Sequence, residues 1–338
     1  MAKEPQNYWD DGVAESGDAD LWFLPQDDPA TVAPLPQADR RRLFPVAEWR
    51  AAEAALAADL AALAYDFGRL EERLRAAGEG ARHRLALQEV ASLGWWMGDR
   101  VPADRLALWL AMQIGATGAD VQALGRGAWA VRRLTGGPAP TGPDRAQALA
   151  QLLGQSDPTS PRITEPCEVL EAVEPLHPFV QGAVLFHLWR IGDPSPARDL
   201  EAAVLAARLA GSVAGQGAFL PLALAGFGAL TAQGGADRRL AAWLAGAHQT
   251  VLSALLHLDR LAAWQTRAAA ATADLSGRTP PALLRLLGAW PSLSAPVAEA
   301  ETGASRAAVQ RNLDLFARRG LIRELTGQGR YRVWSAKV

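Results

Sequence analysis

The sequence predicts an all-α body that carries a small C-terminal module of helices and a β-hairpin. Apolar residues recur at every third or fourth position through most of the chain, as in Leu56, Leu60 and Leu63. Alternating runs of β-branched residues, which indicate strands, are absent from the body. Residues 279–338 instead contain three short helical patterns, followed by two strand patterns around a Gly-rich turn.

Composition excludes several classes of protein. The 338 residues are 49% hydrophobic and 21% charged, which is enough apolar material to bury a core. The single cysteine, Cys167, forms neither an internal disulfide nor a thiolate zinc site, which fits a reducing cytoplasm. The longest apolar run, residues 218–232, contains Pro221 and is too short to cross a bilayer. We therefore expect a cytoplasmic protein without a membrane segment or a bound metal.

Three regions follow one another along the chain. Residues 1–44 hold nine acidic residues and no sustained periodicity, which predicts an acidic, largely extended tail. Residues 45–278 are rich in Ala and Leu and form the predicted all-α body. The polar, Pro-containing stretch at residues 276–281 is the predicted boundary, and residues 279–338 form the C-terminal module.

Breaks at Gly and Pro divide the body into helices. The longest uninterrupted pattern, Asp237–Leu275, predicts either one extended helix or two stacked ones. Shorter helices are predicted at Arg82–Trp96, Ala103–Ile114, Asp120–Leu134, Arg145–Leu153, Thr164–Val173, Phe179–Ile191, Pro196–Ala210 and Phe219–Leu230.

The order of elements in the C-terminal module is that of a winged helix-turn-helix. Helices are predicted at Pro281–Trp290, Ala295–Glu301 and Arg306–Arg319, with Ser305 as the N-cap of the third. Gly320 then ends the third helix, and residues 321–334 form the hairpin. This order predicts a DNA-binding module; the alternative is a module of the same fold that contacts only proteins.

Charge divides unevenly between body and module. Residues 301–338 hold eight basic and three acidic residues, a balance of +5, so the rest of the chain carries −7. A basic module on an acidic body is typical of nucleic-acid binding. The third helix is expected to enter a major groove and the wing to follow phosphates. The predicted DNA-binding residues are Ser305, Arg306, Gln310 and Arg311 on the helix, with Gln328, Arg330 and Arg332 on the wing.

The C-terminal sequence resembles a known family. Residues 303–313, 318–327 and 330–334 are similar to the C-terminal winged helix of Fic-family proteins, and the helical stretch Asp237–Arg267 is also similar. The resemblance extends over residues 48–337 and is strongest in the last hundred. It implies an all-α Fic-like core, a fold whose active members transfer AMP from ATP to protein hydroxyl groups.

The Fic active loop is lost from this chain. His177-Pro178-Phe179 matches its start, but the residues that would hold magnesium and phosphate are replaced by Gln181, Ala183, Val184, Leu185 and Leu188. A second register places the loop at Trp189–Arg198, which contains no histidine. The resemblance therefore implies a non-catalytic relative with no cofactor, although an unrelated helical body would show the same absence.

These observations lead to one hypothesis and two alternatives. We expect a bacterial DNA-binding transcriptional regulator, not an enzyme, whose partner is duplex DNA. Its acidic body would form a homodimer or bind a protein partner or effector, which sets the spacing of two modules. The alternatives are a protein-interaction scaffold whose winged helix never contacts DNA, and a Fic-like AMP or phosphoryl transferase with a remodelled loop.

Overall fold

The protein is mostly helical, as the apolar periodicity predicts. A computed structural model describes residues 43–112, 120–191, 195–215, 217–327 and 332–338, in which fourteen α-helices and three short strands occur. The predicted acidic tail lies outside the described residues except for its end, where Phe44 is buried and stacks on Trp49. The described residues belong to one compact unit.

Eleven of these helices precede residue 272. Three of them begin with proline at the first position, where its missing N–H costs no intrahelical hydrogen bond. The helices are α1 (Val46–Ala55), α2 (Ala57–Ala77), α3 (Glu79–Met97), α4 (Ala103–Met112), α5 (Asp120–Thr135), α6 (Arg145–Leu153), α7 (Pro161–Ala172), α8 (Pro178–Trp189), α9 (Pro196–Gly211), α10 (Gly228–Thr231) and α11 (Ala236–Ala271).

The centre of the body is α8. Every residue from Phe179 to Trp189 is buried, and the helix packs against α7, α9 and α11. Gly182 permits the closest of these approaches, because a Cβ at this position would lie 2.9 Å from the Cβ of Ala210 in α9. A helix that is apolar on all sides is one that other helices surround.

The prediction of a helix at Phe219–Leu230 is wrong over most of that range. Only α10 is helical, and residues 219–227 run as irregular chain that is buried up to Ala223. Pro221 has no N–H to donate, and the next two N–H groups, of Leu222 and Ala223, donate to the Glu89 carboxylate at 2.7 and 3.0 Å. A side chain 133 residues away in the sequence thus replaces the carbonyls that a helix would supply.

The long apolar pattern forms one continuous helix, α11, of 36 residues. Its buried residues up to Leu258 belong to the hydrophobic core of the body. From Leu261 onward its buried residues, Trp264 and Ala268 among them, belong to a second hydrophobic cluster, shared with the C-terminal residues. One helix therefore contributes to both cores.

The C-terminal segment contains three helices and a small antiparallel sheet, whose strand order is β1-β3-β2. Strand β1 was not predicted, because two residues are too short to show a pattern in sequence. The elements in chain order are α12 (Thr279–Ala289), β1 (Leu293–Ser294), α13 (Ala295–Thr302), α14 (Arg306–Arg318), β2 (Ile322–Glu324) and β3 (Val333–Ala336).

Two buried side chains of the body hold this segment. The indole Nε1 of Trp264 donates to the carbonyl of Leu321 at 2.8 Å, at the turn between α14 and β2. Arg84 of α3 is 6% exposed, and its guanidinium donates to the carbonyls of Leu287 and Trp290 at the end of α12. Burial lowers the pKa of Arg84 to about 10, so this cation stays charged at neutral pH. The segment is thus attached to the body by directional bonds as well as by apolar contact.

The Glu89 carboxyl makes the stability of the body depend on pH. Burial raises its pKa to about 7, although the backbone N–H groups that it accepts oppose this shift. The folded protein therefore binds a proton that the unfolded chain releases at its ordinary pKa of 4.5. We expect the contribution of Glu89 to fall as pH rises from about 4.5 to about 7, by up to about 3 kcal/mol in the free energy of unfolding.

Glu89→Gln tests this expectation, because the amide keeps an acceptor oxygen and has no proton to lose. Denaturant unfolding at pH 5 and pH 8 should show the wild type losing stability relative to Glu89→Gln at the higher pH. Glu72→Gln, at an exposed position, removes the same charge and is the matched control. A difference between wild type and Glu89→Gln that is equal at the two pH values would contradict the role of Glu89.

Candidate nucleic-acid interface

A short turn sets the start of α14. Gly303 has φ +63°, a left-handed conformation that ends α13 without strain. Ser305 follows as N-cap, and its hydroxyl accepts a hydrogen bond from the N–H of Ala308 at 3.4 Å. The predicted N-cap is therefore present, and it presents the first turn of α14 at the surface.

The two faces of α14 differ sharply. Val309, Leu313 and Phe316 are fully buried in the second hydrophobic cluster. Arg306 and Arg311 lie on the exposed surface: the Arg306 side chain is 86% exposed and lies 4.0 Å from Glu299, and Arg311 makes no ion pair with any described residue. The N-terminal half of α14 thus offers two solvated cations on a rigid helix.

Gln310 lies beside these arginines and is half-buried. Its Nε2 donates to the Oδ1 of Asp314, one turn further along α14, at 3.0 Å. The amide is therefore oriented by a carboxylate before any ligand arrives, and its Oε1 remains as an acceptor.

Arg332 is held inside the segment. Its Nε donates to Glu324 at 2.7 Å, its Nη1 donates to Asp314 at 3.0 Å, and its guanidinium lies 5.0 Å from the centre of the Trp334 ring. Desolvation opposes its charge, but the two carboxylates prevail and raise the pKa of Arg332. The structure gives this arginine a role in joining the start of β3 to α14 and β2. The other two wing residues, Gln328 and Arg330, lie outside the described residues.

Carboxylates of the body neutralise further cations of the segment. Arg319 donates to both oxygens of Asp274 at 2.7 Å, and these bonds lower the pKa of Asp274. Arg323 pairs with Asp104 of α4. These partners are 45 and 219 residues away in the sequence. The local balance of +5 therefore overstates the positive charge that is available to a ligand. The exposed cations of α14 account for a larger share of what remains.

The His177 stretch is the start of a buried helix. The Nδ1 of His177 caps α8 by accepting from the N–H of Phe179 at 3.1 Å, and the backbone N–H of His177 donates to the Glu53 carboxylate at 2.8 Å. Gln181 donates to the carbonyl of Leu176 at 2.7 Å. Since the helix begins at Pro178, these residues form no loop that could surround a phosphate. Gly182, the one glycine shared with the Fic loop, packs against α9.

Two kinds of site are absent from the part of the chain that the structure describes. No group of three or more His, Cys, Asp and Glu residues is placed there to hold a metal ion. No helix in the same residues is long and apolar enough to cross a membrane.

The ion pairs of Arg332 imply a measurable stability difference. Arg332→Ala leaves Asp314 and Glu324 facing each other without a cation, so we expect a loss of about 1 to 3 kcal/mol in the free energy of unfolding. Arg311→Ala removes the same charge from a solvated position and should change this free energy by less than about 0.5 kcal/mol. Urea denaturation of the two variants and the wild type makes the comparison. Equal stability of the two variants would rule out the structural role of Arg332.

Comparison with known protein families finds no family that matches this chain, and comparison with curated proteins finds no match either.

Proposed function

We propose that the chain is a DNA-binding regulator that contacts duplex DNA through the exposed face of α14. The observation that carries this proposal is the pair Arg306 and Arg311, solvated on the first half of a helix that follows a tight turn. In helix-turn-helix proteins, this part of the second helix contacts base edges in the major groove. Arginine is well suited to such contacts, because its guanidinium binds guanine with two hydrogen bonds.

The order of elements supports assigning the segment to the winged helix-turn-helix fold. Helix α12, strand β1, helices α13 and α14, and strands β2 and β3 follow one another, with β2 and β3 paired as a hairpin. The chain between these strands, residues 325–332, would form the wing, where Arg330 could follow a phosphate backbone. Arg332 is bound to carboxylates and contributes to the shape of the wing base in this proposal.

The body is proposed to position two such modules. It resembles a Fic core in sequence, but the residues after His177 are part of a buried helix, so no described feature favours a transferase. We propose that the body forms a homodimer or binds an effector. A two-fold dimer would bind an operator with two half-sites separated by about one helical turn of DNA.

The second candidate function is a protein-interaction scaffold. It is favoured by the ion pairs of Arg319 with Asp274 and of Arg323 with Asp104. These pairs reduce the positive charge that the module can offer to DNA. On this alternative, the exposed α14 face would contact a protein, and the arginines would pair with its carboxylates.

DNA binding as a function of salt separates the two candidates. We expect the full chain to bind a mixed-sequence duplex with an affinity that falls steeply as salt rises, and to bind more tightly to a fragment from around its own gene. Arg306→Ala and Arg311→Ala should each weaken binding about tenfold, and each should reduce the slope of log K against log salt by about one if the contact is to phosphate.

Arg50→Ala is the matched control, since Arg50 is exposed on α1 and its loss changes the net charge equally. Point variants are preferable to deletion of residues after 279, because deletion would expose Trp264 and leave Arg84 buried without its carbonyl partners. Two results would contradict DNA binding and favour the scaffold: an unchanged affinity and salt slope in both α14 variants, or no binding of the wild type at low salt.

A further inference from the structure

A cleft lies where the body meets the C-terminal segment. It has a volume of about 290 Å³ and is bordered by α3, α4 and α11 on one side and by β2, β3 and residues 337–338 on the other. This volume is near the lower limit for ligand sites in proteins, so it suits a small molecule. The charged and titratable side chains that line it are Arg84, Asp104, His257, Arg260, Arg323 and Lys337.

The lining side chains are strongly cationic. Four of them carry positive charge, and the one side-chain carboxylate among them, Asp104, is already paired with Arg323. Burial, reinforced by the charges of Arg84 and Arg260, lowers the pKa of His257 to about 4, so this imidazole is neutral at neutral pH. Cations that converge on a partly enclosed space concentrate a positive potential in it, which attracts an anion.

Two buried nitrogen atoms of lining residues have no hydrogen-bond partner among the described residues. They are the Nε of Arg84 and the Nε2 of His257. Arg84 is more than nine-tenths buried, and both of its bonds to carbonyls are made through Nη2. Buried polar groups are nearly always paired in native proteins. Both nitrogens are closed off from solvent, so a ligand in the cleft would pair with them only after the two side chains turn toward it.

We propose that this cleft binds a small dianionic metabolite, whose oxygen atoms come from phosphate groups or from paired carboxylates. Arg260 and Lys337 are exposed at the cleft and would bind the ligand electrostatically, while Arg84 provides a buried cation at its base. The ligand would contact the body through α3 and α11, and the C-terminal segment through Arg323 and Lys337. It would therefore hold the two parts together in the same way as the Asp104–Arg323 pair. The site stands whether or not α14 contacts DNA.

Calorimetric titration of the full chain tests the proposal without DNA. The probes are inorganic pyrophosphate and citrate, each titrated at an ionic strength matched with sodium chloride. Saturable binding of either one is expected, together with a rise in Tm that grows with probe concentration, because a ligand of the folded state alone stabilises it. A preference for pyrophosphate would identify the phosphate class, and a preference for citrate would identify the carboxylate class.

Arg260→Ala and Lys337→Ala provide the decisive comparison. Both side chains are exposed and neither makes a described ion pair, so their loss should leave the fold intact. Each should weaken binding of the preferred probe by about tenfold or more, whereas Arg50→Ala, with the same charge change on α1, should bind as the wild type does. The proposal is overturned if neither probe binds at millimolar concentration, or if all three variants bind equally.

Discussion

The continuity of α11 is the constraint on which the arrangement of this protein depends. Its 36 residues span about 54 Å at 1.5 Å per residue, without a proline and with the single glycine Gly246. Val251 and Leu255 are buried in the body, and Trp264 is buried among α12, α14 and the small sheet. Because a helix transmits its direction rigidly, the C-terminal segment cannot turn freely about a linker. Gly246 itself lies where the Ala229 backbone would be 2.3 Å from an added Cβ, so the one glycine serves close packing of α10.

Arg84 and Trp264 extend this constraint to the surface of the segment. Each donates a hydrogen bond to a carbonyl at the end of a helix. Arg84 donates at the end of α12, and Trp264 donates at the turn after α14. Leu321 accepts from both the Trp264 indole and the N–H of Lys337, so the same carbonyl joins α11 to the end of the chain. Arg84 lines the cleft between the body and the C-terminal segment, and Lys337 lines it too. The cleft is thus close to the hydrogen bonds that fix the position of α14. A ligand bound in the cleft would therefore act on the same contacts that hold α14 in place.

Local chemistry explains what the sequence could predict. The N-cap Ser305, the left-handed Gly303 and the apolar positions Val309, Leu313 and Phe316 act within one or two turns of chain, so their pattern located α14 to within one residue. The irregular buried chain around Pro221 could not be predicted in the same way. Its helix-like composition is overridden by Glu89, which is distant in sequence and supplies the acceptors for its N–H groups. Periodicity shows which residues are apolar, and it does not show which distant polar group will satisfy their backbone.

The same limit applies to charge, and it bears on function. When the net charge is counted from the sequence, every arginine after residue 300 contributes equally to the positive charge of the module. In the fold, a nearby carboxylate neutralises part of an arginine's charge, and Arg319, Arg323 and Arg332 each pair with one. The exposed guanidiniums that remain on α14 are those of Arg306 and Arg311 in its first half and of Arg318 at its end, on a helix whose opposite face is packed in the second hydrophobic cluster. Arg311 makes no ion pair with a described residue, and the Arg306 pair with Glu299 is long and exposed. Both cations therefore keep most of their electrostatic attraction for a partner, and the packed helix that carries them loses little backbone freedom on binding. The charge of the proposed interface thus depends on ion pairs elsewhere in the protein as much as on its own residues.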